Sequence, residues 1–136
     1  MDSFSGQLAE VKRLQPLRVL LAGRDRRYIR VTSFLLERKG YVVRSSTIEA
    51  AAEAARRHRS DVVLLEGDKL RSDTARSAAA IEALNPHARV IVVVDSQPVQ
   101  WTGLDTLPKW VELETVVDTL ENGANGSADS DPSSAA

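Results

Sequence analysis

The chain has 136 residues, of which 43% are hydrophobic, and this size and composition suit a single globular domain with one core. The absence of cysteine excludes disulfides, thiolate metal sites and cysteine nucleophiles, and two histidines argue against a histidine metal site. The net charge of -1 and a pI near 6.1 provide no overall attraction to nucleic acid or anionic membranes. No apolar run approaches the roughly 20 residues of a membrane span, so we expect a cytoplasmic protein without membrane contact.

Short apolar runs alternate along the chain with stretches of helical periodicity. Apolar runs bounded by Gly, Pro or polar residues predict strands, and apolar residues at spacings of three and four predict helices. In chain order, the predicted elements are a strand at 18–22, a helix from about 28 to Gly40, a strand from 41, a helix at 48–59, a strand at 61–66, a helix at 74–84, a strand at 89–94, a weaker strand at 104–107 and a helix at 111–120.

The predicted strands are apolar throughout, which is typical of strands buried on both faces of a parallel sheet. Their alternation with helices predicts a doubly wound α/β fold with five parallel strands. The connection between the last two strands is the exception. It has only the nine residues 95–103, including Pro98 and Gly103, whereas a parallel crossover needs about a dozen. We therefore expect a shortened or missing fourth helix.

The ends of the chain differ from this core, which predicts three segments. Residues 1–16 form an N-terminal extension with apolar residues at helical spacing, and both an amphipathic helix and a frayed extension stay open for it. Residues 17–121 form the folded domain. Residues 122–136 have no apolar periodicity, and we expect a disordered tail.

Glu66 is the most informative residue, because it ends the apolar run at 61–66. In an open parallel sheet, ligands and chemistry gather beyond the carboxyl ends of the strands. Glu66 therefore marks the edge of the sheet at which we expect function.

Several segments resemble the receiver domain of bacterial two-component response regulators, over about residues 17–121. They are LLERKGY at 35–41, SDVVLL at 60–65 and LPK at 107–109, followed by VELE at 111–114. The resemblance implies the flavodoxin-like fold of five β/α units and a role in phosphorelay signal transduction.

Receivers of this family accept a phosphoryl group on an Asp that ends the third strand, and an acidic pair after the first strand helps to hold Mg²⁺. By this resemblance, Glu66 stands at the phosphoacceptor position, and Gly23 and Arg24 replace the acidic pair beside Asp25. Mg²⁺ prefers oxygen ligands, and a guanidinium offers none. The resemblance therefore implies a degenerate (pseudo-receiver) site with no metal cofactor and no metal-dependent self-phosphorylation.

The residues that read out the phosphate in the family are also altered. Lys109 matches the invariant lysine, whereas Val94 stands at the Thr/Ser switch position and Thr106 at the aromatic position. An alignment shifted by one would bring Asp95 or Ser96 to the switch position.

The positive charges of Arg24 and Lys109 are expected to converge on Glu66 in place of a metal. Two interpretations of this network stay open. Either Glu66 partly mimics a phosphorylated aspartate, or the salt bridge is a remnant that serves stability.

In receivers, the partner surface lies near the fourth helix, the fifth strand and the fifth helix. A shortened fourth helix therefore predicts a remodelled surface around residues 95–110. Trp101 and Trp110 lie in this segment, and they either cover the flank of the sheet or form an aromatic contact for a protein partner.

From these features we predict a non-enzymatic binding module in a signalling pathway, without a cofactor and without direct nucleic-acid contact. Its partner is a protein, and a second copy of the chain is one candidate. The alternative is a small-ligand or nucleotide sensor that uses the crevice at the strand ends, with Arg24, Arg26 and Arg27 as an anion clamp. In a third hypothesis the chain is an unusual receiver that is still phosphorylated, at another acid such as Asp25 or Asp68.

Overall fold

A computed structural model of the chain describes residues 15–67, 71–95 and 104–121. Strands and helices alternate along these residues as far as the fourth strand. The elements are β1 (Arg18–Ala22), α1 (Arg26–Arg38), β2 (Val42–Ser46), α2 (Ala51–His58), β3 (Val62–Glu66), α3 (Arg71–Leu84), β4 (Arg89–Val94), β5 (Asp105–Pro108) and α4 (113–121).

The five strands form one parallel sheet in the order β2-β1-β3-β4-β5. The three inner strands β1, β3 and β4 are almost wholly buried, as their continuous apolar sequences require. The predicted doubly wound α/β fold is therefore confirmed. β2 lies on one side of β1, and β3, β4 and β5 follow on the other side, so the strand order reverses between β1 and β3. Open parallel sheets bind their ligands at such a point.

Two hydrophobic layers hold helices against the two faces of the sheet. One layer contains Leu36 of α1 and Leu120 of α4, and the other contains Ala55 of α2 and Ile81 of α3. Burial of a leucine-sized side chain contributes roughly 1.5–3 kcal/mol, so these layers set the position of the strands against the helices. The carboxyl ends of all five strands consequently meet at one edge.

The loop that leaves β1 is held by the start of α1. Asp25 is the N-cap of this helix, and its carboxylate accepts a hydrogen bond from the backbone N–H of Tyr28 at 3.0 Å. The helix ends at Arg38, and Gly40 follows with a φ of +100°. The predicted helix end near Gly40 is therefore confirmed, and the cap places Asp25 beside the exit of β1.

The four helix starts differ from the sequence prediction by two or three residues, most for α2 and α3. α2 begins at Ala51 and not at 48, because a turn precedes it in which the backbone N–H of Ala51 donates to the carbonyl of Ile48 at 3.2 Å. α3 begins at Arg71, three residues before the predicted start at 74.

Some predictions concern residues outside the described ranges. They are the helix or frayed extension at 1–14, the shortened or missing fourth helix within 96–103, which includes Trp101, and the tail at 122–136. Among the described residues, no helix is both long enough and apolar enough to cross a membrane.

Candidate functional site

Glu66 ends β3 and turns its carboxylate toward the exit of β1. Its Oε1 accepts hydrogen bonds from the backbone N–H groups of Arg24 at 2.6 Å and Asp25 at 3.0 Å. Only 18% of the Glu66 side chain is exposed. Successive backbone N–H groups form a concave site for an anion, and here the anion is a carboxylate of the chain itself.

Gly23 allows this close approach because it has no side chain. A Cβ at position 23 would lie 2.2 Å from Glu66 Oε1 and 2.8 Å from Glu66 Cβ, and real Cβ atoms do not approach other heavy atoms so closely. The Gly23 N–H donates to the carbonyl of Ser46 at 3.2 Å, which fixes the loop against the end of β2. The Glu66 carboxylate therefore fills the space that a side chain at position 23 would need.

Lys109 follows β5 directly and brings its ammonium group to the same edge. Its backbone N–H donates to the carbonyl of Val94 at 2.8 Å, which holds it next to the end of β4. The ammonium Nζ lies 2.8 Å from Asp25 Oδ2, 3.2 Å from Glu66 Oε2 and 3.3 Å from Asp95 Oδ1. Only 6% of the Lys109 side chain is exposed. One buried cation therefore joins three carboxylates.

The electrostatics of this cluster keep Lys109 and Asp25 charged. Burial disfavours the ammonium form of Lys109, but the hydrogen bonds to Asp25 and Glu66 outweigh burial and raise its pKa. The hydrogen bond from Lys109, together with that from the Tyr28 N–H, lowers the pKa of Asp25. Both groups therefore remain ionised throughout the neutral pH range.

Two aromatic rings extend the cluster toward the surface. The Lys109 ammonium lies 5.6 Å from the centroid of the Tyr28 ring, and burial raises the pKa of the Tyr28 hydroxyl to about 12. The ring of Trp110 meets Tyr28 edge to face, with centroids 5.3 Å apart and planes at 88°. Trp110 remains 59% exposed, so the contacts from Lys109 through Tyr28 to Trp110 reach the protein surface.

The structure places the other predicted site residues as follows. The Arg24 guanidinium pairs with Glu49 at 3.7 Å, so the contact of Arg24 with Glu66 runs through its backbone N–H and not through the expected charge. Val94 is a buried end residue of β4, and Thr106 lies half-buried on β5 opposite Val92. Trp101 lies outside the described residues.

Sequence reasoning missed the double role of Asp25. This residue was expected as the acid beside Gly23 and Arg24 and as an alternative phosphorylation site, yet it caps α1 and bonds Lys109 at the shortest of the three ion-pair distances. An Asp at the start of a predicted helix is a cap signal, and this signal was present in the sequence. The contact with Lys109 depends on where β5 ends, which sequence alone does not give.

The cluster resembles a metal site in which a lysine takes the place of the cation. Within residues 15–67, 71–95 and 104–121, no group of three or more histidine, aspartate or glutamate side chains is arranged to hold a metal ion. The Asp25, Glu66 and Asp95 carboxylates instead converge on the ammonium of Lys109. The arrangement therefore favours a fixed anion at Glu66 with a fixed counter-charge.

Comparison with known proteins gives a result for the fold and none for the sequence. The sequence matches no protein-family model and no curated protein. The fold is similar to that of a CheY-like response regulator receiver domain protein from Methanospirillum hungatei JF-1, with a TM-score of 0.70, 15% identity, and coverage of 85% of this chain and 99% of that one.

Two other solved structures give the same result. The chemotaxis protein CheY4 of Vibrio cholerae has a TM-score of 0.68 and 16% identity, with 79% of this chain and 98% of that one covered. A response regulator protein from Burkholderia pseudomallei with a phosphorylated aspartic acid and a calcium ion has a TM-score of 0.63 and 20% identity, with 84% and 72% covered. These similarities show that the chain has the CheY-like receiver fold.

The contact between Gly23 and Glu66 predicts the effect of a single methyl group. Gly23→Ala should lower the free energy of unfolding by about 1–3 kcal/mol, the usual cost of overpacking, because the new Cβ overlaps Glu66. Urea denaturation measures this change. In the Glu66→Ala background the carboxylate is gone, and the same substitution should cost less. An equal cost in both backgrounds would show that the strain has another source.

The ion pair between Asp25 and Lys109 predicts an acid-sensitive contribution to stability. Asp25→Asn keeps an oxygen that can cap α1 but removes the charge, so it should lower the free energy of unfolding at neutral pH. Because the folded-state pKa of Asp25 is lowered, the charge contributes above about pH 4, and this contribution is lost as the pH falls through the folded-state pKa. The difference in the free energy of unfolding between wild type and Asp25→Asn should therefore be constant near neutral pH and disappear in acid.

Urea denaturation at a series of pH values tests this expectation. Asp73→Asn is the matched control, because Asp73 forms an exposed pair with Arg76 at 3.9 Å and should contribute little at any pH. A gap between wild type and Asp25→Asn that persists unchanged in acid would contradict the role of the Asp25 charge.

Proposed function

We propose that this chain is a pseudo-receiver, a receiver-like domain that acts in signal transduction by binding a protein partner and not by accepting a phosphoryl group. The observation that carries the proposal is the Glu66 carboxylate, which lies on the backbone N–H groups of Arg24 and Asp25 and pairs with Lys109. In this proposal the chain is a regulatory binding module. It is not an enzyme and needs no cofactor.

The chemistry of phosphoryl transfer supports this proposal. Transfer to a carboxylate requires neutralisation of the charge that develops on the phosphoryl oxygens, and a metal ion commonly supplies it. Position 23 has no side chain and position 24 has a guanidinium, so neither offers a carboxylate to a metal. Glu66 is also already satisfied by two N–H groups and an ammonium, and an incoming phosphoryl group would have to displace them.

The permanent charge of Glu66 suggests how the domain holds one state. A receiver changes state when negative charge is added at the end of its third strand and its lysine responds. In this chain the negative charge is built in, and Lys109 already bonds it at 3.2 Å. We therefore favour a domain that is fixed in one arrangement and serves as a constant docking partner.

Trp110 is the proposed contact for the partner. It is an aromatic side chain that is 59% exposed, and its ring packs on Tyr28, which lies over the Lys109 ammonium. Exposed aromatic residues next to a rigid, buried network are common anchors of protein interfaces. This chain of contacts links the charge of Glu66 to the outer surface.

We expect the chain to bind neither a metal ion nor a phosphoryl mimic at Glu66. In a two-dimensional amide NMR titration with Mg²⁺ and then beryllium fluoride, the amide signals of Gly23, Glu66 and Lys109 should not move. A phosphorylatable receiver domain measured in parallel provides the positive control. Saturable shifts at these three amides would contradict the proposal, because they would show a site that binds metal and a phosphoryl mimic.

The second prediction concerns the partner surface. Immobilised wild-type protein should retain a specific protein from a lysate of the source cells, and Trp110→Ala should lose it. Phe34→Ala is the matched control, because Phe34 is a 56% exposed aromatic residue on α1 and is not part of the network around Lys109. The retained protein, once purified, should bind wild type and the Phe34 variant with affinities within about a factor of three, since exposed residues outside the hot spot contribute little.

Glu66→Gln then tests whether the charge matters for this binding. The variant loses the ion pair with Lys109, so we expect it to bind the same purified partner about tenfold more weakly. This factor corresponds to the free energy that one hydrogen bond to a charged group contributes. Unchanged affinity would favour the interpretation of Glu66 as a structural remnant. Equal effects of the Trp110 and Phe34 variants would contradict the placement of the interface.

A further inference from the structure

A groove lies beside the cluster of charges, between α1 and the end of β2. Its volume is about 480 Å³, within the usual range for sites that take small molecules. Its polar lining consists of Arg26, Arg30, Ser33, Ser45, Ser46 and Thr47. It shares only Gly23 with the site around Glu66, and none of the charged residues of that site line it.

The charge of this groove is positive and uncompensated. Arg26 and Arg30 contribute two guanidinium groups, and the lining contains no carboxylate. Among the described residues, neither arginine has an acidic side chain within ion-pair distance, although other exposed arginines such as Arg56 do. Guanidinium groups that have no protein partner are available to a ligand.

The arrangement of the two arginines on α1 is itself unfavourable without an anion. They lie at positions i and i+4, on the same face of the helix, where like charges repel by roughly 0.2–0.5 kcal/mol. The negative charge that is favoured at this end of the helix comes from the N-cap Asp25, whose carboxylate already pairs with Lys109. A bound anion would relieve the repulsion between the two guanidinium groups.

Residues with hydroxyl side chains form the rest of the polar lining. Ser33 lies on α1, one turn beyond Arg30, and Ser45, Ser46 and Thr47 come from the end of β2 and the loop after it. The Ser46 hydroxyl already donates to the carbonyl of Thr47 at 2.8 Å. The hydroxyls of Ser33, Ser45 and Thr47 can still donate to the acceptor oxygens of a phosphate group. Ile29 is the only large apolar side chain in the lining.

We infer that this groove binds the phosphate group of a small phosphorylated ligand, with Arg26 and Arg30 as the charged clamp and the hydroxyls of Ser33, Ser45 and Thr47 as hydrogen-bond donors. Of the clamp predicted from sequence, which was Arg24, Arg26 and Arg27, only Arg26 lines the groove. The inference does not depend on the proposed partner binding, since Trp110 does not line the groove.

Amide NMR titrations of the whole chain with inorganic phosphate, pyrophosphate and ATP test this inference. We expect saturable shifts at Ser45, Ser46 and Thr47 with at least one probe. Arg26→Gln combined with Arg30→Gln should weaken the binding by about tenfold or more, as the loss of two charged hydrogen bonds implies. Thermal unfolding confirms that the variants are folded.

Arg27→Gln is the matched control, because Arg27 is an exposed residue of the same helix that does not line the groove. It should leave the affinity within about a factor of two, as expected for a screened surface charge. The three probes separate the sources of the phosphate. Comparable affinity for phosphate and ATP indicates recognition of the phosphate group alone, and tighter binding of ATP indicates a nucleotide. Absence of saturable shifts with all three probes, or an equal loss in the Arg27 variant, would overturn the inference.

Discussion

The ammonium group of Lys109 bonds three carboxylates that come from three separate parts of the chain. Asp25 stands at the start of α1, Glu66 at the end of β3 and Asp95 directly after β4. A buried lysine is costly unless its partners stay charged and close, and here burial is offset by these bonds. One cation therefore fixes the relative positions of four strand exits, because Lys109 itself follows β5.

The remaining features of this edge depend on that arrangement. Glu66 reaches Lys109 with one oxygen while the other receives the two N–H groups of the loop after β1, and this loop has room for Glu66 only because of Gly23. Tyr28 and Trp110 then pack in sequence from the ammonium outward. Among the described residues, the charges of Asp25, Glu66 and Lys109 are thus paired with one another, whereas Arg26 and Arg30 in the groove beside α1 have no acidic partner.

Much of the fold could be predicted, because its strands are apolar runs between segments of helical period. β4 (Arg89–Val94) has five consecutive β-branched residues, and no helical pattern competes with it. Helix starts were predicted less well where a turn hydrogen bond precedes the helix, as the bond between Ala51 and Ile48 does before α2. Such a bond changes the boundary without changing the hydrophobic pattern.

The candidate site was predictable as a set of residues but not as a set of bonds. Glu66 and Lys109 are 43 positions apart, and they meet because parallel strands end at one edge, which the predicted topology already implies. The direction of the Arg24 side chain has no such signal. The loop turns the N–H of Arg24 inward and its guanidinium pairs with Glu49, so the expected second cation at Glu66 is replaced by a backbone dipole.

The close packing of Glu66 against Gly23 also restricts the order in which this site can evolve. An acidic side chain at position 23 would overlap the Glu66 carboxylate and repel it, so it is disfavoured as long as Glu66 remains. Shortening the side chain at position 66 would remove the overlap with Oε1, but that step gives up the bonds to the two N–H groups before any new ligand is gained. Positions 23 and 66 are therefore constrained to change together.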